Sequence, residues 1–325
     1  MSKKKLVIVG VILLVLAMIG GAIYDVQSAN KAREDNKSAT TISIEHFNGV
    51  TSVQKYPTRM VVLDYSVLDN MIALGVTDNV EIATSTKYIP KYIDISKFNK
   101  VTDIGNLKEP NLEAIYNFNP DIIIINGRQL RYYDNLSKIA PTVNTRHDKN
   151  SDYVDTLYNN IGIVGRLFDK EIEAFRLCAE INNRISKVNS MKKDKGMILF
   201  IVGNKMFAVG KNSMMGGLPY DACKLETVVE EESNTAKKTG PYVNEISFEY
   251  IRDKNPEYIL VVNRDAALRM NSKKNKEFLM SNPLLQDVSA IKNNRVEFVD
   301  SEVWYLSGGG YQSTLIMIDE IQNIL

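Results

Sequence analysis

Two α/β lobes joined by a long backbone helix, preceded by an N-terminal transmembrane helix, form the architecture that this 325-residue sequence predicts. Three observations carry the expectation. An uncharged apolar run lies near the N-terminus, a helix–strand unit occurs twice, and a long helix-patterned stretch separates the two copies. The length also exceeds what a single hydrophobic core usually serves.

The chain opens Met-Ser-Lys-Lys-Lys, and the run Leu6–Tyr24 that follows carries no charge. About 20 apolar residues suffice to cross a bilayer as a helix. Lysines before the run, with no comparable cluster directly after it, put the N-terminus in the cytoplasm and the body outside. Residues 1–24 are therefore expected to be an uncleaved signal anchor, holding the protein at the extracytoplasmic face of the cell membrane. A cleaved secretory signal is the alternative. The first cysteine is Cys178, so no lipid-bearing cysteine follows the run. Residues 25–41 are polar without apolar periodicity and read as a flexible tether.

The first lobe is expected over 42–150, the interlobe helix over 151–193 and the second lobe over 194–325. Met60–Leu63 reads as a first-lobe strand. The run from Asn111 to Arg128 (NLEAIYNFNPDIIIINGR) matches the run from Ser247 to Arg264 (SFEYIRDKNPEYILVVNR) position by position. Glu113 answers Glu249, Asn119-Pro120 answers Asn255-Pro256, and each copy ends on an arginine. Asn111 and Ser247 are good N-caps, and a glutamate in the first turn suits the helix dipole. The helix stops before proline, which disfavours the helical region in the preceding residue. The apolar runs Ile122–Ile125 and Tyr258–Val262 are the pattern of parallel strands covered on both faces. Arg128 and Arg264 fall just past the strands' C-terminal ends, where open α/β sheets bind ligands.

From Asp152 to about Lys193, Tyr153, Leu157, Ile161, Val164 and Leu167 recur at helical spacing, with break points at Gly162, Gly165 and Phe168-Asp169. Met197–Val202 and Arg295–Val299 read as second-lobe strands.

Charge and reactive residues exclude several functions. Lys plus Arg number 40 against 39 Asp plus Glu, a net charge of +1, so no chain-wide basic excess draws nucleic acid. The two histidines and two cysteines are scattered without metal-ligand or nucleophile spacing. Ser307-Gly308-Gly309-Gly310 lacks the lysine of a phosphate loop and is expected to turn the chain tightly. No nucleophile–base pair stands out, so a non-enzyme without a resident cofactor is expected.

These residues together resemble a known family, the extracytoplasmic substrate-binding proteins of bacterial iron-siderophore ABC importers, of helical-backbone metal-receptor type. Within it the chain is most similar to the branch that binds petrobactin and other ferric catecholates. The resemblance rests on residues 61–76 (VVLDYSVLDNMIALGV), 105–115 (GNLKEPNLEAI), both repeat copies and 295–314 (RVEFVDSEVWYLSGGGYQST). It implies capture of a ferric siderophore between the lobes and delivery to an ABC permease dimer with a cytoplasmic ATPase, by a monomer. It implies that Arg128, Arg264 and Tyr305 bind the ligand. One of the neighbours Trp304 and Tyr305 should face the core, and Trp304 is expected there, with stacking on a ligand the alternative. It also implies that Glu113 and Glu249 dock on permease arginines, with Glu109 a competitor in the first lobe.

Two positions depart from the family pattern. A third arginine is replaced by Met214, and a histidine able to ligate iron is replaced by Tyr242. Tyr242 and Tyr305 are then possible phenolate ligands of ferric iron, with Met214 an apolar cleft contact. One cation fewer implies a ligand less anionic, or more apolar, than a hexadentate tris-catecholate. Haem or a corrinoid held by the same fold, and a ligand-free sensor or scaffold, are the alternative readings.

Overall fold

A computed structural model describes residues 40–147, 152–211, 213, 215–230, 244–270 and 273–325. The expected anchor at 1–24, nearly all of the tether, and the candidates Met214 and Tyr242 lie outside the described residues. Among the described residues no helix is long and apolar enough to cross a membrane.

An antiparallel hairpin opens the described chain, β1 (Thr41–His46) on β2 (Gly49–Gln54). A five-stranded parallel sheet follows from β3 (Arg59–Val62), β4 (Glu81–Thr84), β5 (Lys100–Asp103), β6 (Ile122–Ile125) and β7 (Thr142–Asn144). Its order is β5-β4-β3-β6-β7, so the winding reverses between β3 and β6. All four isoleucines of β6 are buried, as a strand covered on both faces requires.

The second sheet holds β8 (Lys195–Val202), β9 (Lys205–Ala208), β10 (Glu226–Thr227), β11 (Asn244–Ile246), β12 (Ile259–Asn263) and β13 (Val296–Phe298). Its order is β11-β9-β8-β12-β13, with β10 beside the start of β8. β8, β12 and β13 are parallel, while β9 runs antiparallel to both of its neighbours, β8 and β11. The winding reverses again, between β8 and β12. Alternate side chains of β8 serve two cores: Ile198 and Phe200 face the main one, and Met197, Leu199 and Ile201 face a separate outer cluster.

The interlobe stretch, with its candidate break points, forms two helices, Tyr153–Leu167 and Glu171–Asn189. The break falls at Phe168–Lys170, where Asp169 takes φ +52°, and Gly162 sits inside the first helix. Gly165 has a packing reason: a Cβ there would lie 2.9 Å from the Ala174 Cβ, so the two helices meet over it.

The C-terminal helix Tyr311–Ile324 packs on Glu171–Asn189 and on the first-lobe helix Tyr65–Ala73. Its amino end is received by the first lobe. The buried Asp69 carboxylate accepts from the Gln312 and Ser313 amides at 2.9 and 2.8 Å, and Asn70 Oδ1 accepts from the Tyr311 amide at 2.9 Å. These bonds satisfy amides that a helix start leaves orphaned. Burial pushes the Asp69 pKa up, and the donated hydrogen bonds pull it back only in part.

Candidate functional site

The repeat builds the same device twice. Asn111 Oδ1 accepts from the Ala114 amide at 3.0 Å, and Ser247 Oγ accepts from the Tyr250 amide at 3.3 Å. The helices Leu112–Phe118 and Phe248–Lys254 each end on an asparagine in the left-handed region, Asn119 at φ +49° and Asn255 at φ +41°. Asparagine tolerates that conformation, and the proline after it prevents the helix from continuing. The chain then returns along β6 or β12. At each strand end an asparagine side chain, Asn126 or Asn263, caps the short helical turn that carries the arginine.

Both arginines stand at the winding reversals, and the structure brings them to one tyrosine. Arg128 Nη2 donates to the Tyr305 carbonyl, Arg128 Nη1 lies 3.5 Å from the Leu306 carbonyl, and its Cζ lies 5.4 Å from the Tyr305 ring centroid. Arg264 Nε donates to the Tyr305 hydroxyl at 3.3 Å. The Tyr305 ring rests on Phe200, centroids 5.5 Å apart at 37°. Tyr305 thus sits between a first-lobe and a second-lobe guanidinium.

A cavity of about 540 Å³ opens here, and Arg128 and Tyr305 are in its wall together with Asp64, Trp304 and Met215. Arg264 is not in the wall; it stands behind the Tyr305 hydroxyl. Trp304 is buried and its indole N–H donates to Glu320 at 2.6 Å, as suits a core residue, yet the residue also borders the cavity. Asp64 caps the helix Tyr65–Ala73 and accepts from Asn126 Nδ2 at 2.7 Å and from the Thr145 hydroxyl at 2.6 Å. It ties the ends of β3, β6 and β7 together at the cavity wall.

Arg146 lines the same cavity, although no sequence pattern marks it. It too follows a strand's C-terminal end. That strand, β7, is only Thr142–Asn144, too short and too polar to show as an apolar run.

The lobes also touch beside the cleft. Arg269 pairs with Glu302 at 3.0 Å and donates to the Ile89 carbonyl at 2.5 Å, while Glu302 accepts from the Lys91 amide at 2.9 Å.

Glu113 and Glu249 are exposed in the first turns of the two repeat helices. Hydrogen bonds from its own amide and from Ser247 hold the Glu249 carboxyl below the usual range. Among the described residues no group of three His, Cys, Asp or Glu is arranged to hold a metal ion. The cavity offers guanidinium, phenol and indole, a set that binds an aromatic anion and supplies no nucleophile–base pair.

Residues 60–303 match the periplasmic binding protein family. The petrobactin-binding protein YclQ of Bacillus subtilis is 31% identical over 315 residues, 96% of each chain. Its crystal structure matches with a TM-score of 0.78, covering 88% of this chain and 98% of that one. The ferric-anguibactin-binding protein FatB of Vibrio anguillarum is 29% identical over 290 residues, 87% of each chain. The periplasmic catecholate-siderophore binding protein VctP of Vibrio cholerae matches with a TM-score of 0.76 at 28% identity, covering 87% of this chain and all of that one.

Proposed function

The chain belongs to the periplasmic binding protein family, and we propose that it captures a ferric siderophore outside the cell and delivers it to an ABC iron importer. The family is one of substrate-binding proteins, so its work is binding without covalent chemistry. The ferric siderophore is cargo, not a resident cofactor.

The observation that carries the reading is the cavity between the two winding reversals, walled by Arg128 and Tyr305 with Arg264 behind the phenol. A ferric catecholate is an anion whose aromatic rings radiate from the metal, with their oxygens around it. Guanidinium stays charged, donates several hydrogen bonds and lies flat on rings, which suits that ligand better than an ammonium. Arg128 holds only backbone carbonyls of the opposite lobe, and a ligand anion competes well against such neutral acceptors. The similarity to proteins that bind petrobactin and catecholate siderophores favours the catecholate class.

Delivery needs a docking face, and Glu113 and Glu249 are proposed to supply it. They occupy matched exposed positions, one on each lobe, as a two-fold permease with basic patches requires. Residues 1–24 are proposed to hold the protein at the outer face of the membrane as an uncleaved anchor.

Native mass spectrometry against ferric catecholates, ferric hydroxamates, haem and cobalamin tests the reading. A stoichiometric complex with a ferric catecholate is expected. Selective binding of haem or cobalamin would overturn the siderophore assignment, and binding of none would favour a ligand-free sensor.

A further inference from the structure

The arginines of the described chain sort by partner. Arg59, Arg131, Arg184, Arg252, Arg269 and Arg295 each pair with a carboxylate. Among the described residues, Arg128, Arg146, Arg166, Arg176 and Arg264 do not. Arg166 and Arg176 ride on the two interlobe helices. The other three gather at one place, Arg128 and Arg146 in the cavity wall and Arg264 behind Tyr305. Arg128 and Arg146 share that wall with the Asp64 carboxylate, which already accepts from the Ser66 amide, Asn126 and Thr145, so the guanidiniums still repel one another and an anionic ligand relieves that cost.

We propose that Arg146 is a third cation for the anionic ligand, supplying from the first lobe the charge that Met214 does not supply from the second. The inference rests on the siderophore reading of the cleft.

The residue is held as a binding group needs to be. Its amide donates to Asn144 Oδ1 at 3.0 Å, and the Thr145 amide before it donates to the Ile125 carbonyl at 2.9 Å. The segment is therefore sewn to the end of β6, beside Arg128. The Arg146 stem then passes over Gly127, where an added Cβ would lie 3.3 Å from its Cδ and 3.6 Å from its Nε. A glycine between Asn126 and Arg128 lets the two arginines run side by side. The Phe47 ring, 4.8 Å from the Arg146 Cζ, covers one face of the guanidinium, and among the described residues its N–H donors pair with no carboxylate. The chain thus reaches three cleft cations by a different distribution, two on the first lobe and one on the second. The reduced ligand charge expected from Met214 loses its basis, and a trianionic tris-catecholate fits the count.

Titrations with the trianionic ferric complex of a hexadentate tris-catechol chelator test the assignment, read by quenching of tryptophan fluorescence. Arg146→Gln is expected to weaken binding about tenfold to a hundredfold without moving the thermal midpoint, as loss of one charge-assisted hydrogen-bonding group implies. Arg146→Lys recovers part of the loss, and added salt narrows it. Gly127→Ala provides a second measure, because it displaces the guanidinium without removing it; it too weakens binding. If the unaltered protein binds and both Arg146→Gln and Gly127→Ala stay within about twofold of it, Arg146 is no ligand contact and the siderophore reading stands. If the unaltered protein binds no ferric catecholate, that reading fails and the role of Arg146 fails with it.

Discussion

Gly308, Gly309 and Gly310 precede the C-terminal helix, and each faces different surroundings, so alanine at each has its own cost. At Gly310 an added Cβ lies 2.4 Å from Asp69 Oδ2 and 2.8 Å from both Asp69 Cβ and Cγ. Rotating the carboxylate away does not help, because its stem collides as well. Asp69 is also pinned by the Gln312 and Ser313 amides and by the Tyr92 hydroxyl, which donates at 3.1 Å. Overpacking of this kind costs about 1–3 kcal/mol. Each buried amide that loses its acceptor adds about 1–3 kcal/mol. With one such amide lost, Gly310→Ala should therefore destabilise by about 2–6 kcal/mol, a drop of about 3–9 °C in midpoint for a chain of this size. Gly309 has open space around it but takes φ +113°, so its alanine meets backbone strain alone, about 1–2 kcal/mol. At Gly308 the nearest atom is 3.4 Å away and φ is ordinary, and alanine should stay within about 0.5 kcal/mol. Urea and thermal unfolding of the three variants give the ranking. If Gly310→Ala is no worse than Gly309→Ala, the carboxylate of Asp69 does not hold the helix start as described.

Other expectations follow from the same contacts. Asp69 has a raised pKa in the folded protein, so the unfolded chain ionises it first as pH rises. Its protonated form favours the fold, and that contribution is full below the ordinary aspartate range and lost as pH rises through the folded-state value. The stability of the unaltered protein relative to Asp69→Asn should fall across that window; a difference that grows with pH would contradict the burial argument. Glu113→Lys with Glu249→Lys should abolish siderophore-dependent uptake in cells while leaving affinity in vitro unchanged. Lost affinity would count against docking. Tyr305→Ala removes the ring beside Arg128 and the hydroxyl partner of Arg264 together, and should weaken ferric catecholate binding at least about tenfold. An unchanged affinity would move the ligand away from this tyrosine.

What the sequence announces is what short-range chemistry writes. N-caps, asparagine–proline stops and runs such as Ile122–Ile125 each specify a few adjacent residues, so both repeat units and the positions of Arg128 and Arg264 are readable from the chain alone. Arg146 escapes because β7 shows only one apolar residue between two polar ones. The break at Phe168–Lys170 shows as a candidate, but which of several glycine and aspartate positions ends the helix depends on how Gly165 meets Ala174. Asp69 as a cap for Gln312 and Ser313 has no local signal, since its partners lie at the far end of the chain. The β8–β9 turn at Gly203-Asn204 is local, with Gly203 at φ +56°, but the pairing of β11 with β9 joins residues nearly forty apart and is set across distance, not by pattern.

Trp304 is the single tryptophan of the chain, and it borders the cavity that the arginines and Tyr305 surround. Its emission is therefore a built-in reporter, because ferric catecholates absorb broadly and quench a nearby indole. Titration with a ferric tris-catecholate should quench it saturably at one ligand per chain, and Arg128→Gln with Arg264→Gln should weaken that binding about a hundredfold or more. Saturable quenching that persists unchanged in the double variant, or its absence with every ferric chelate tried, would contradict the claim that this cleft binds a ferric siderophore.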